Sequence, residues 1–149
     1  MKKRIVLPIA VLLCLLSLAG CKTIVPGADF DVGHDLSKAQ KIVIQDAAGN
    51  EKAVLSTESE IDAFVEAVNV DGWKFIQDVP EGLTEAGSFT LWQRETITAL
   101  VGGGETKENE ICTFRIYADG DYLTIETGLI DVSFAIPQST ADYLRGLTA

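Results

Sequence analysis

From Lys41 onward the apolar positions change period in a way that separates strands from helices. Lys41-Ile42-Val43-Ile44-Gln45 is a β-branched run, Asp46 to Asn50 carries turn chemistry and Glu51 to Leu55 returns, so a hairpin is predicted. Thr57-Glu58-Ser59-Glu60 has the form of a capping box, in which the Thr hydroxyl faces the third helical amide and the Glu reaches back. Ile61, Phe64, Val65 and Val68 follow at i, i+3, i+4 and i+7, one stripe of a helix whose Asp62 and Glu66 face water. Asp71-Gly72 ends that helix.

After it the period returns to two. Trp73 to Gln77 reads as a short strand and Pro80 to Gly87 as a loop. In Ser88 to Arg94, Phe89, Leu91 and Gln93 point one way while Ser88, Thr90, Trp92 and Arg94 point the other. Thr96 to Val101 continues this strand or pairs back on it, and Gly102 to Asn109 is an exposed loop, because three successive glycines lose much backbone entropy on ordering. Glu110 to Ala118 is a strand, with Asp119-Gly120 the dipeptide favoured in a tight type I′ turn. Asp121 to Thr127 comes back with Leu123 and Ile125 inward, and Ile130, Val132, Phe134 and Ile136 alternate on a last strand. Gln138 to Leu147 makes a terminal helix, capped from Ser139 and docking through Tyr143, Leu144 and Leu147. The fold expected is α+β: a mainly antiparallel sheet, hairpin plus meander, with two helices packed on one face.

The first residues follow a different rule. Lys2, Lys3 and Arg4 precede an apolar run from Ile5 to Leu18, too short for a bilayer-spanning helix and of secretory-signal length. Leu18-Ala19-Gly20-Cys21 ends it. This segment resembles bacterial lipoprotein signal peptides, and the resemblance implies that residues 1–20 are removed and that the Cys21 thiol carries a diacylglyceryl group. Two acyl chains suffice for stable membrane anchoring where one does not. The implied location is the extracytoplasmic side of the bacterial cell membrane, with the lipid on Cys21 as the membrane contact. Residues 21–38, with Pro26, Gly27 and Gly33, read as a tether of about 20–25 Å if flexible, and residues 39–149 as a single domain.

Composition narrows the partners. The precursor has 12 Lys+Arg against 22 Asp+Glu, and loss of Lys2, Lys3 and Arg4 would bring the net charge to about −13, which repels phosphate backbones and anionic headgroups. Nucleic acid is excluded as a partner, and lipid rather than a basic patch must do the anchoring. Of the three cysteines, Cys14 leaves with the signal and Cys21 takes lipid, so Cys112 has no partner; it shares a face with Phe114 and Ile116 and reads as a small buried hydrophobe.

Candidate chemistry is thin. No cofactor and no metal site is expected. The only histidine, His34, lies in the tether with Asp31 and Asp35, and no Ser/His or Cys/His pair has a base inside the domain. Gly102 to Lys107 lacks phosphate-loop spacing, and Asp119, Asp121 and Glu126 are too few for an EF-type calcium loop. A carboxylate pair serving an envelope hydrolase is the catalytic alternative. The side chains best suited to recognition are Trp73, Trp92, Tyr117 and Tyr122, the last three on strand faces opposite the core positions. Those three form an exposed aromatic face suited to a protein or glycan partner, or they are core if the helices cover that side. The domain is similar to small extracytoplasmic lipoproteins of Gram-positive bacteria, on the lipobox, the short tether, the hairpin-helix start and the Ile116-to-Leu123 hairpin near a terminal helix. That resemblance implies a location more than a function, since such families mostly lack an assigned activity; the first functional expectation is a binding or interaction module using the sheet face or the loops at Pro80 to Gly87 and Gly102 to Asn109.

Overall fold

The computed structural model describes residues 31–95 and 106–149. The compact unit Asp31–Ala149 contains α1 (Val32–Ser37), β1 (Lys41–Asp46), β2 (Glu51–Leu55), α2 (Glu58–Val68), β3 (Lys74–Ile76), β4 (Glu85–Glu95), β5 (Lys107–Tyr117), β6 (Tyr122–Glu126), β7 (Asp131–Ala135) and α3 (Gln138–Thr148). The seven strands form one antiparallel sheet in the order β2-β1-β4-β5-β6-β7-β3. This is the α+β class expected from the alternation. β2 and β3 lie at opposite edges, so the chain between them, α2 included, crosses the sheet from one side to the other.

The reason for that crossing is burial. Ile42, Ile44, Phe89, Leu91, Phe114, Ile116, Leu123 and Ile125 all point to one face and are at most 1% exposed. α2 lays Phe64 against Phe89 with ring centroids 5.6 Å apart, and Tyr143 of α3 reaches Phe64 at 6.3 Å. Trp73 covers the same face further along, its ring 5.8 Å from Phe114 and 5.5 Å from Phe134. Gly87 on β4 opposes Ile116, and a Cβ there would collide with the Gln45 carbonyl and with Thr148, so glycine lets the end of α3 sit down on the sheet.

α2 starts with the expected capping box: Glu60 N–H donates to Thr57 Oγ1 at 3.3 Å, and Thr57 N–H to Glu60 Oε2 at 3.1 Å. It stops at Asn69, in the left-handed region at φ 45°, before a 3₁₀ turn over Val70–Gly72. The orphan carbonyl of Val68 is satisfied by Trp73 Nε1 at 3.0 Å and Thr140 Oγ1 at 3.2 Å.

Besides β4, which begins at Glu85 inside the Pro80-to-Gly87 stretch read as a loop, four local expectations are corrected. Residues 32–37, read as tether, form α1, with Val32 and Leu36 buried and Asp31 capping through its carboxylate. Asp35 acts on the Cys112 thiol, which places α1 at that end of the apolar face. α3 starts after Pro137 with no side-chain cap rather than from Ser139, and buries Thr140, Ala141, Leu144 and Thr148 while Leu147 stays half-buried. β5 begins at Lys107, because 107–109 pair with Glu95, Arg94 and Gln93 instead of looping; the rest of the Gly102-to-Asn109 loop, up to 105, and the 96–101 segment lie outside the described residues.

The fourth correction is the Asp119-Gly120 turn. Only Gly120 has positive φ, 78°, so a type I′ turn is not made. Ala118 N–H donates to Thr84 O at 2.8 Å and Ile136 N–H to Asp121 O at 2.9 Å, so neighbouring segments hold both ends of the loop and keep it open. The tight turn is instead Thr127–Ile130, closed by Thr127 N–H to Ile130 O at 3.2 Å with Gly128 at φ 79°.

Candidate functional site

Strand alternation that sends the apolar residues under α2 and α3 sends every other residue to the opposite face. No described helix covers that face. Cross-strand pairing arranges it in rungs: Gln45, Ser88, Arg115, Thr124 and Ser133 form one across β1, β4, β5, β6 and β7. The next contains Val43, Thr90, Thr113, Glu126 and Asp131, and beyond it Lys41, Trp92 and Glu110. On the other side of the Arg115 rung lie Glu85 and Tyr117, then Tyr122, Ala135 and Lys74.

Arg115 stands on the central strand. Its Nη1 is 3.3 Å from Glu85 Oε2 and its Nη2 2.6 Å from Glu126 Oε1, so one guanidinium joins β4, β5 and β6. Hydroxyls fill the rest of the centre. Thr113 Oγ1 lies 3.1 Å from Thr90 Oγ1 and 3.1 Å from Glu110 Oε1. Tyr117 OH lies 3.0 Å from Thr124 Oγ1, which is 3.1 Å from Ser133 Oγ. Thr124 and Ser133 are buried and Thr90, Thr113 and Tyr117 half-buried, and these groups satisfy one another, which is what polar atoms withdrawn from water require. Among the described residues two donors shut from solvent find no acceptor, Arg115 Nε and Trp92 Nε1.

Trp92 marks one corner. The Lys41 ammonium sits 5.2 Å from its ring centroid and is hydrogen-bonded to Glu108, which also takes Arg94 at 3.6 Å. The Lys41 hydrogen bond holds the Glu108 carboxyl below the usual range against the opposing effect of burial, and the charges of Lys41 and Arg94 add smaller effects in the same direction as that bond. Compared with known proteins, the chain matches no family model, no curated protein and no solved structure.

Trp92, Tyr117 and Tyr122 thus share the uncovered face. Tyr117 and Tyr122 are neighbours, since Ile116 and Leu123 beside them pair directly. Trp92 is separated from them by the Thr90 and Ser88 rungs, about 23 Å along β4 at ~3.3 Å per residue. The face therefore has an aromatic pair, a charged hydroxyl-rich centre and an aromatic-cationic corner. Arg115 and Glu85 were not singled out from the sequence and Glu126 was weighed only as a calcium ligand, although Thr113 and Arg115 alternate with Cys112, Phe114 and Ile116 and so had to face outward.

Two of the acids weighed for calcium, Glu126 and Asp121, are engaged by arginines. Glu126 is held by Arg115 at 2.6 Å, and the same guanidinium holds Glu85 at 3.3 Å. Asp121 and Asp142 meet Arg145 at 3.4 and 2.7 Å. Asp31 caps α1, and His34 is exposed on that helix. Cys112 is 2% exposed, and burial, then the charges of Asp35 and Glu110, raise its thiol to about 12. A shallow depression along α2, lined by Glu58, Ser59, Asp62, Ala63 and Glu66, brings together only acids and small side chains. Cys21 lies outside the described residues.

Proposed function

We propose that this chain is a membrane-anchored extracytoplasmic lipoprotein, attached through the lipid on Cys21, whose domain is a binding module working through its uncovered sheet face. The observation that carries the binding role is the one-sided cover of the sheet: α2, α3 and Trp73 lie over the apolar face and leave the other to Trp92, Tyr117, Tyr122 and Arg115. Tyr, Trp and Arg are the side chains that carry most interface energy, because they bring large contact area or forked hydrogen bonds at low entropy cost. Among the described residues no helix is long and apolar enough to cross a membrane, and lipid on Cys21 supplies the attachment in this reading.

Two measurements test it. Intact-mass analysis of chain made in a bacterial host should show residues 1–20 missing and a diacylglyceryl adduct at Cys21; a bare Cys21 ends the anchoring reading. A photo-crosslinking residue placed at Thr90 on the face should give discrete products in cell envelopes, whereas the same residue at Ser59 on α2 should not. Equal labelling from both positions, or none, ends the binding reading.

A further inference from the structure

We infer that the β7–β3 edge of the sheet docks on the membrane, with Phe75, Leu129 and Ile130 entering the interfacial layer of the bilayer, an inference that rests on reading Cys21 as lipidated.

The cover of the apolar face runs out toward this edge. α3 lies over β1, β2, β4 and β5, and α2 sets Phe64 on Phe89 of β4. Toward β7 the cover is Trp73, packed against Phe134. Among the described residues the large hydrophobic side chains standing open to solvent are Val54, Phe75, Leu129 and Ile130, with Leu129 at 93%, Phe75 at 56% and Ile130 at 53%. The last three share one edge. Phe75 on β3 pairs with Phe134 on β7, their rings 6.3 Å apart, and Ile130, Val132 and Phe134 alternate onto the same side. Ile130 is four residues before Phe134, so the row is about 13 Å long at ~3.3 Å per residue. Scattered exposed hydrophobics are ordinary, whereas several in one row make a contact surface.

Charge and chain length select a bilayer as what covers it. The chain has 22 acidic against 12 basic residues, yet Thr127 to Ile130 carries no charge and β3 carries one, the positive Lys74. Asp131, the acid of β7, belongs to the opposite face with Glu126. An acidic domain thus offers anionic headgroups the edge they repel least, and Lys74 can reach a phosphate while its apolar neighbours go deeper. Asp31 is ten residues from Cys21, at most ~36 Å of extended chain, so lipid on Cys21 keeps the domain beside the bilayer. The chain also enters from the required side. Asp35 acts on Cys112 of β5, and the chain reaches β1, two strands away, at Lys41. The start of α1 is therefore turned toward β6 and β7, at the end of the sheet that holds the Thr127–Ile130 turn. Three side chains bind a free domain weakly, but a tethered one meets the surface at high local concentration. Docking by the edge leaves the Trp92, Tyr117 and Arg115 face clear for a partner.

The test uses the full-length chain made in a bacterial host, its Cys21 adduct checked by intact mass, in vesicles of phosphatidylethanolamine and phosphatidylglycerol with and without nitroxide-bearing lipid. Gln77→Cys puts a fluorophore just after β3, and Ala48→Cys puts it in the β1–β2 turn at the other edge; Cys112 is buried and takes no label. The fluorophore at position 77 should be quenched by the nitroxide lipid and that at position 48 should not. Phe75→Ser combined with Leu129→Ser should lower the docked-to-free ratio by ~10–100-fold. Circular dichroism controls for folding, and Leu129→Ser with Ile130→Ser replaces that pair should it not fold. On a lipidated chain, no quenching at position 77, equal quenching at both positions, or quenching that survives the serine variants each overturn the inference and leave the anchor standing. A fluorophore at position 77 that is shielded from aqueous iodide but unreached by nitroxide lipid shows a protein on this edge and overturns it as well. A bare Cys21 removes anchor and docking together.

Discussion

Arg145 of α3 donates an Nη1 hydrogen bond to the Gly120 carbonyl at 2.8 Å and thereby ties the last helix to the loop between β5 and β6. The same side chain reaches Tyr117 O at 3.4 Å and holds Asp121 and Asp142 through Nη2. The Asp142 hydrogen bond, and then Asp121, raise the guanidinium's already high pKa further, outweighing burial. Arg145→Met keeps the aliphatic stem and removes these bonds, so it is expected to cost about 1–2 kcal/mol, the lower part of the range for charged hydrogen bonds because the group is partly solvated. Urea unfolding measures the loss, and amide exchange at Ala118–Asp121 should rise with it.

Phe64 is fully buried between Phe89 and Tyr143. Phe64→Ala opens a cavity where α2 meets both the sheet and α3, and about 3–5 kcal/mol of stability should be lost. A loss under ~1 kcal/mol in thermal or urea unfolding would mean that α2 is not clamped as described.

Two exposed carboxylates give the domain an acid limit. Asp46 is held below its ordinary value of 3.8 chiefly by the Asn50 side chain, then by the backbone amides of Asn50 and Ala48. Glu60 is held below 4.5 by the amides of Thr57 and Ser56 and then by the Thr57 hydroxyl. A depressed folded-state pKa stabilises above the unfolded value and ceases to do so as pH falls through the folded one. Stability should therefore be level above about pH 5 and fall below about pH 4. In Asp46→Asn and Glu60→Gln the acid slope should be shallower; an unchanged slope in both contradicts the assignment.

Thr57→Ala removes the hydroxyl that accepts from Glu60 N–H while leaving the rest of the α2 entry in place. About 1 kcal/mol should be lost. Thr57→Ser should recover most of it, which separates the cap from any packing of the methyl group.

The Cys112 thiol should be silent in the folded domain. With burial foremost raising it to about 12, iodoacetamide at pH 8 should leave it unmodified for as long as the domain is folded and label it fully in denaturant. Labelling at equal rates in both conditions would show that Cys112 is accessible.

Much of this molecule was legible in short stretches of chain. The Ile42-to-Gln45 and Cys112-to-Tyr117 alternations, the Thr57–Glu60 box and the 61-64-65-68 stripe are local patterns whose periods are set by backbone geometry, and each appears where the spacing put it. The outward position of Trp92, Tyr117 and Tyr122 follows from the same alternation. What the residues near in sequence do not carry is which strand lies beside which. β1 pairs with β4 and β3 with β7 because α2 must bury its stripe across the sheet, and only that arrangement brings Glu85, Arg115 and Glu126 together or separates Trp92 from the two tyrosines. The wide loop at Asp119-Gly120 and the helix at Val32–Ser37 depend on the same long-range terms: Thr84 and Ile136 take the loop's ends, and Leu36 gains a buried surface that a six-residue helix could not supply for itself. The periods belong to the chain, and the choice of open face belongs to the packing.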